Sequence, residues 1–86
     1  MKKSVKITIY KTPTCPYCLM AEQYFDSLGL PYTSYDVTQD PAKGQEMMAK
    51  SGQTGVPVIV IEKDGEEKVF VGFDQAGINE FLGIQT

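Results

Sequence analysis

Val5-Lys6-Ile7-Thr8-Ile9-Tyr10, then Lys11-Thr12-Pro13-Thr14, then Cys15-Pro16-Tyr17-Cys18: the hydrophobic period changes within this run, and the change decides the fold. Val5, Ile7 and Ile9 alternate with Lys6, Thr8 and Tyr10, the period of two that a strand over 4–10 produces. Residues 11–14, with Pro13, read as a loop. From Pro16 onward, Leu19 or Met20, then Tyr24 with Phe25, then Leu28 recur at three- and four-residue spacing. That predicts an amphipathic helix over 16–28, with Glu22, Gln23 and Asp26 on its wet face. Pro16 suits the first helical position, where its missing N–H has no intrahelical partner, and Gly29 is a natural stop.

The rest of the chain repeats the alternation of strand and helix. Residues 31–37 are rich in Tyr, Thr and Val and read as a second strand. Asp40-Pro41 supplies a cap and a first position for a helix that runs to Lys50 or Ser51 and stops at Gly52, with Met47 and Met48 as core filler. Val58-Ile59-Val60-Ile61 is an unbroken apolar run, as expected of a central strand covered on both faces. Asp64-Gly65 marks a tight turn into a strand over 68–71. Gly72-Phe73-Asp74 leads into a last helix over 75–82, with Ile78, Phe81 and Leu82 facing inward. The order is β-α-β-α-β-β-α. It implies an α/β fold in which a right-handed βαβ crossover starts a four-stranded mixed sheet with helices on both faces.

Composition narrows the function. The chain has 86 residues, read here as one domain over 1–86, and 42% apolar content, enough for one modest core. Its formal charge is −3, from eight lysines, no arginine and eleven acids. Without arginine, a dedicated nucleic-acid binder is a poor fit, because bidentate readout of guanine and many phosphate clamps use that side chain. Met1-Lys2-Lys3-Ser4 resembles the basic start of a signal peptide, but Lys6 interrupts the short apolar stretch that follows and no small-residue cleavage site appears. No run approaches the roughly 20 apolar residues of a membrane span. The expectation is a cytoplasmic monomer.

Two cysteines and no histidine leave few chemistries open. A disulfide between positions 15 and 18 closes too short a loop to act as a staple, and the reducing cytoplasm keeps ordinary thiols reduced. One Cys-x-x-Cys supplies half a tetrahedral metal site, so metal binding would need a second chain, and no metal is expected. A redox pair fits the position between strand and helix. Cys15 falls at the N-cap and Cys18 at the third helical position, where unpaired backbone N–H groups favour a thiolate. Cys15 is then the nucleophile and Cys18, one turn on, resolves the mixed disulfide. Tyr17 shields one side. Val56-Pro57 stands at the start of the central strand, either as an ordinary trans proline or as a cis bond that would turn the Val56 backbone toward the helix tip, where it could pair with an extended thiol peptide. Lys11 is a solvated loop lysine or a partner for the thiolate or a substrate carboxylate. Phe73 is core or a wall beside the thiols. Asp74 caps the last helix, meets a charged ligand terminus, or both.

Together these features resemble the glutaredoxin family of the thioredoxin superfamily. Thr14-Cys15-Pro16-Tyr17-Cys18 looks like the dithiol active site, Gly55-Val56-Pro57 is similar to the Thr-Val-Pro segment whose proline is cis, and Gly72-Phe73-Asp74-Gln75 stands where the family usually has Gly-Gly-x-Asp-Asp or Asp-Ser. The resemblance implies the thioredoxin-like fold and a glutathione-dependent thiol–disulfide oxidoreductase acting on protein disulfides or glutathione mixed disulfides. Glutathione is then a co-substrate, and no bound prosthetic group is expected. It implies that Cys15 carries the glutathione sulfur, Tyr17 lines the groove, Val56 bonds the cysteinyl part and Asp74 meets the γ-glutamyl amino group. Lys11, Gly55, Pro57, Phe73 and Gln75 belong to the same surface. The chain departs from the family pattern at Thr12, where a lysine is usual, and at Gly55, Val71 and Gln75. Gly72-Phe73 is similar to the Ser-Gly-Phe segment of glutaredoxin-like redoxins that thioredoxin reductase reduces and that supply ribonucleotide reductase. A third reading, an iron–sulfur cluster carrier, fits the bulky Pro16-Tyr17 less well.

Overall fold

The computed structural model describes residues 5–53 and 55–83. Four strands and three helices alternate as expected: β1 Val5–Lys11, α1 Pro16–Ser27, β2 Thr33–Asp36, α2 Pro41–Ser51, β3 Val58–Lys63, β4 Glu66–Val71 and α3 Gln75–Leu82. The strands form one mixed sheet in the order β2-β1-β3-β4. β1 is parallel to β2, while β3 is antiparallel to both β1 and β4.

Register and alternation sort the apolar residues onto two faces. Ile7 stands opposite Ile61 and Ile9 opposite Ile59, so their side chains share one face of the sheet. There they join Ala21 and Phe25 of α1, Phe70 of β4 and Ile78 of α3 in one buried cluster. Tyr10 stands opposite Val58 and Thr8 opposite Val60. These point to the other face, where Tyr10, Val58, Val60 and Met47 of α2 form a second cluster. All four residues of Val58-Ile59-Val60-Ile61 are buried because β3 is central and both of its faces are covered. This four-stranded α/β arrangement with helices on both faces is the thioredoxin-like fold.

Local chemistry sets the ends of the elements. Helix α1 ends in a Schellman arrangement: Gly29 N–H donates to Asp26 O at 3.1 Å and Leu30 N–H to Phe25 O at 3.0 Å, with Gly29 at φ +69°. Asp40 caps α2 by accepting from Lys43 N–H at 3.3 Å, with Pro41 next. The β3–β4 hairpin turns on Asp64 and Gly65, at φ +52° and +85°, as a two-residue turn with both residues left-handed requires.

Several boundaries and facings differ from expectation. The first strand was expected over 4–10. It extends to Lys11, which pairs with Asp36 of β2 and is therefore not a loop residue. Ser4 lies outside the described residues. The second strand is shorter than 31–37, because the parallel register spans only Thr33 to Asp36. The hairpin strands are longer than 58–61 and 68–71, since backbone pairing continues through the charged tips Glu62, Lys63, Glu66 and Glu67. Met48 is exposed, and only Met47 fills the core. In α1 the buried stripe runs through Cys18, Ala21 and Phe25, while Leu19 is 55% exposed and Met20 also faces outward. The small residues Cys18 and Ala21 are thus on the buried side of the first turns. Glu22, expected on the wet face, is drawn inward, its side chain only 14% exposed.

Candidate functional site

The loop from β1 ends at Cys15, whose backbone is extended (φ −93°, ψ +107°) and whose N–H donates to Thr12 O at 3.4 Å. The chain turns helical at Pro16. Cys15 is thus the N-cap of α1, and its sulfur takes the place of a capping oxygen: Cys18 N–H donates to Cys15 Sγ at 3.1 Å. Cys15 and Cys18 are joined in a disulfide with Cα atoms 5.2 Å apart. Cys15 is half-buried, whereas Cys18 is 1% exposed, so attack from outside reaches Cys15 first. Tyr17, between them, is 61% exposed.

Beside the disulfide is a cavity of about 310 Å³, walled by Lys11 at the end of β1, the 12–14 loop, both cysteines, Pro16, Leu19 and Glu22. Lys11 stands on its rim, but its ammonium pairs with Glu22 at 3.0 Å instead of lying free in solvent. Ser34 Oγ of β2 donates to the same carboxylate oxygen at 2.5 Å. Burial pushes the Glu22 carboxyl pKa up. The Ser34 hydroxyl and the Lys11 ammonium more than offset that and hold it below the usual value.

Most of the remaining expected site residues lie in two segments, 55–57 and 73–75, linked through Gly72. The Val56–Pro57 bond is cis and Pro57 is buried, while Val56 is half-buried against the Tyr10 cluster. Gly72 N–H donates to Pro57 O at 2.7 Å, which ties the turn after β4 to this proline. Phe73 follows as part of the core wall, its ring edge-on to Tyr24 at 5.7 Å. Asp74 caps α3, accepting from Gly77 N–H at 3.1 Å, and Gln75 is the first residue of that helix. Gly55 is clamped by the Gln53 side chain, which accepts from Gly55 N–H at 2.6 Å and donates to Gly55 O at 3.0 Å. The cavity beside the cysteines is lined by Lys11, Cys15 and Cys18 but by none of Tyr17, Gly55, Val56, Pro57, Phe73, Asp74 or Gln75.

Three residues in these contacts escaped sequence reasoning. Glu22 and Ser34 are joined across α1 and β2. Asn79, buried on α3, accepts a hydrogen bond from the Tyr24 hydroxyl. A carboxylate four residues after the second cysteine was the one available signal for Glu22. For Asn79 there was none. Among the described residues no group of three or more His, Cys, Asp or Glu is arranged to hold a metal ion. No described helix is long and apolar enough to cross a membrane.

Comparison with known proteins places these features. The family model for glutaredoxin matches residues 7–66. A glutaredoxin-like 8.6 kDa protein in the rubredoxin operon of Clostridium pasteurianum is 40% identical over 76 residues, covering 88% of this chain and 96% of that one. Glutaredoxin 3 of Escherichia coli K12 is 38% identical over 56 residues, 65% of this chain and 68% of its own length. Among solved structures, the T8A mutant of the thioredoxin-like protein BC3987 superposes with a TM-score of 0.79 at 28% identity, over 92% of this chain and 96% of that one. The glutaredoxin-like NrdH-redoxin of Escherichia coli, described as having a thioredoxin-like activity profile, has a TM-score of 0.73 at 24% identity, over 87% and 92%. That last likeness concerns the fold alone.

Proposed function

The chain belongs to the glutaredoxin family, and from that premise we propose that it reduces disulfides by a two-cysteine cycle at Cys15 and Cys18 with glutathione as reductant. The observation that carries this reading is the position of the Cys15 sulfur at the N-cap of α1, accepting the Cys18 N–H at 3.1 Å. The hydrogen bond and the positive end of the helix both favour negative charge on that sulfur. The Cys15 thiolate attacks one sulfur of the target disulfide. A Cys15–target bond forms, the target S–S bond breaks, and the other target sulfur leaves as a thiolate that takes up a proton. Cys18, deprotonated, then attacks the Cys15 sulfur. The Cys15–Cys18 bond forms and the second target thiol departs, so two electrons and two protons have passed to the target. One glutathione thiolate reopens the Cys15–Cys18 disulfide as a Cys15–glutathione mixed disulfide. A second attacks the glutathione sulfur, returning the Cys15 thiolate and releasing glutathione disulfide.

In this reading Val56, beside cis-Pro57, bonds the cysteinyl backbone of glutathione, and Asp74 meets its amino end. Tyr17, Phe73, Gly55 and Gln75 border the groove, Lys11 lines the cavity beside the cysteines, and the compartment is the reducing cytoplasm. A second reading has its own support. Lys11 is engaged by Glu22 and Asp74 by Gly77 N–H, so two groups suited to the charged ends of glutathione already have partners. That favours a redoxin recharged by thioredoxin reductase and serving ribonucleotide reductase.

The deciding experiment is turnover of a small glutathione mixed disulfide coupled to glutathione reductase, run beside insulin reduction coupled to thioredoxin reductase. The expected result is turnover in the glutathione assay. Turnover with thioredoxin reductase alone would overturn glutathione as reductant and leave the cysteine cycle standing. Turnover in neither would overturn the cycle.

A further inference from the structure

Glu22 is on α1, one turn beyond Cys18, and groups from two strands converge on its carboxylate. Lys11 Nζ, at the end of β1, is 3.0 Å away and Ser34 Oγ, on β2, is 2.5 Å away. Residues 12–21 carry no charge. Among the described residues, Lys11 and Glu22 are the only charged ones lining the cavity that holds both cysteines. The pair is largely withdrawn from water, with side chains 31% and 14% exposed, so salt and solvent screen it less than a surface pair. The hydroxyl of Ser34 fixes the carboxylate and does not compete for the ammonium. The other acid beside Lys11 is Asp36, its register partner, and the Thr38 hydroxyl and N–H both bond the Asp36 carboxylate.

A lysine left free on that wall would draw a carboxylate toward Cys15. This one is already neutralised. We propose that Glu22, by holding Lys11 in an ion pair, cancels the draw that the lysine would otherwise exert on disulfides that carry a carboxylate near the reacting sulfur, so that the cysteine cavity does not favour them over neutral or cationic ones. The inference rests on the reading of Cys15 as the attacking sulfur. It concerns the first exchange alone: the Cys15 thiolate bonds one sulfur of the reagent, the reagent S–S bond breaks, and the second sulfur leaves as a thiolate and is protonated by water. Glu22 is a specificity-determining residue that touches neither sulfur in this step.

The test uses the full chain, reduced, with three symmetrical disulfides that differ in charge: cystamine, bis(2-hydroxyethyl) disulfide and 3,3′-dithiodipropionate. Rates of the first exchange are followed as loss of the fully reduced chain, to mixed disulfide and Cys15–Cys18 disulfide together, by mass spectrometry of acid-quenched samples. Each variant rate is divided by the wild-type rate for the same reagent, so intrinsic reagent reactivity cancels. Glu22→Gln keeps an acceptor for Ser34 and removes the charge. At low ionic strength it is expected to raise the dithiodipropionate rate roughly fivefold, to lower the cystamine rate and to leave the neutral reagent within about twofold. In about 0.5 M salt these differences should shrink. In a Lys11→Met background the same substitution should give less than half of the anionic gain on a logarithmic scale, because no ammonium is released. Ser34→Ala keeps both charges and loosens the carboxylate. It should move the rates in the same direction by less, and it serves if Glu22→Gln does not fold. Equal changes for all three reagents, or an equal anionic gain with and without Lys11, would overturn the inference while Cys15 reactivity stands. No reaction of the wild type with any of the three would instead overturn the reading of Cys15, and the inference with it.

Discussion

Replacing Tyr10 with Phe removes one oxygen from the interior, and the structure sets both the size and the pH dependence of the effect. Tyr10 is 1% exposed on β1, between Tyr35 and Val58, and its hydroxyl donates to the Glu46 carboxylate of α2. Burial, then the lost donor, then the charge of Glu46 all oppose a phenolate there, and its pKa is pushed far above that of an ordinary tyrosine. In the unfolded chain the same phenol ionises near pH 10. A group whose folded pKa is raised contributes stability that is whole below the unfolded pKa and is lost as pH rises above it. Here the unfolded state sheds a proton that the folded state keeps. The loss approaches about 1.4 kcal/mol per pH unit, so it is roughly 1.4 kcal/mol by pH 11 and near 2.7 kcal/mol by pH 12. Tyr10→Phe forfeits one hydrogen bond at every pH, about 1 kcal/mol, but it has no such proton to lose. The variant should be less stable by about 1 kcal/mol at pH 8, equal near pH 10.7 and more stable by pH 11.5. Urea unfolding followed by circular dichroism from pH 8 to 11.5 measures the difference. All other residues are the same in both proteins, so their contributions cancel to first order. A wild-type-minus-variant difference that stays constant within about 0.3 kcal/mol across that range would refute the reasoning, because it would mean that the phenol ionises freely in the fold.

Cys15→Ser should abolish all turnover, whereas Cys18→Ser should keep reduction of glutathione mixed disulfides and lose dithiol reduction of protein disulfides. Equal loss in the two variants, measured in parallel assays, would count against the assigned roles. Asp74→Ala removes the α3 cap and should cost about 1 kcal/mol, a fall in Tm of about 4–8 °C for a domain this small. Asp74→Asn should restore most of that stability but not charge. If Asp74 meets the amino group of glutathione, KM for glutathione rises in both variants, and a normal KM in Asp74→Asn removes it from the site. Phe25→Ala empties a fully buried position under α1 and should cost about 3–5 kcal/mol, close to the whole stability of a small domain. Calorimetry should show no cooperative transition above room temperature, and a drop in Tm of only a few degrees would mean that the site collapses around the loss.

What could be read from the chain alone were features whose physics is complete within a few residues. The caps at Cys15, Asp40 and Asp74, the stop at Gly29 and the Asp64-Gly65 turn each join groups two to five positions apart, and each is where local chemistry puts it. The redox pair is legible for the same reason: strand, N-cap cysteine and one helical turn bring both sulfurs together without help from the rest of the fold. The unbroken apolar run of β3 also announces its central place, because only a strand covered on both sides can afford no polar residue. Tertiary structure decided which side of each element faces inward and which groups meet across elements. In α1, bulk pointed to Leu19 and Met20, yet the face turned to the sheet carries Cys18, Ala21 and Phe25, because packing on the strands fixes the rotation of the helix. The Tyr10–Glu46 and Tyr24–Asn79 contacts join residues 36 and 55 positions apart. Glu22 looked like a solvated carboxylate until β1 and β2, set side by side by the sheet order, brought Lys11 and Ser34 to it. The sulfurs follow from sequence-local geometry, but the charge around them depends on strand order, which no short-range pattern encodes.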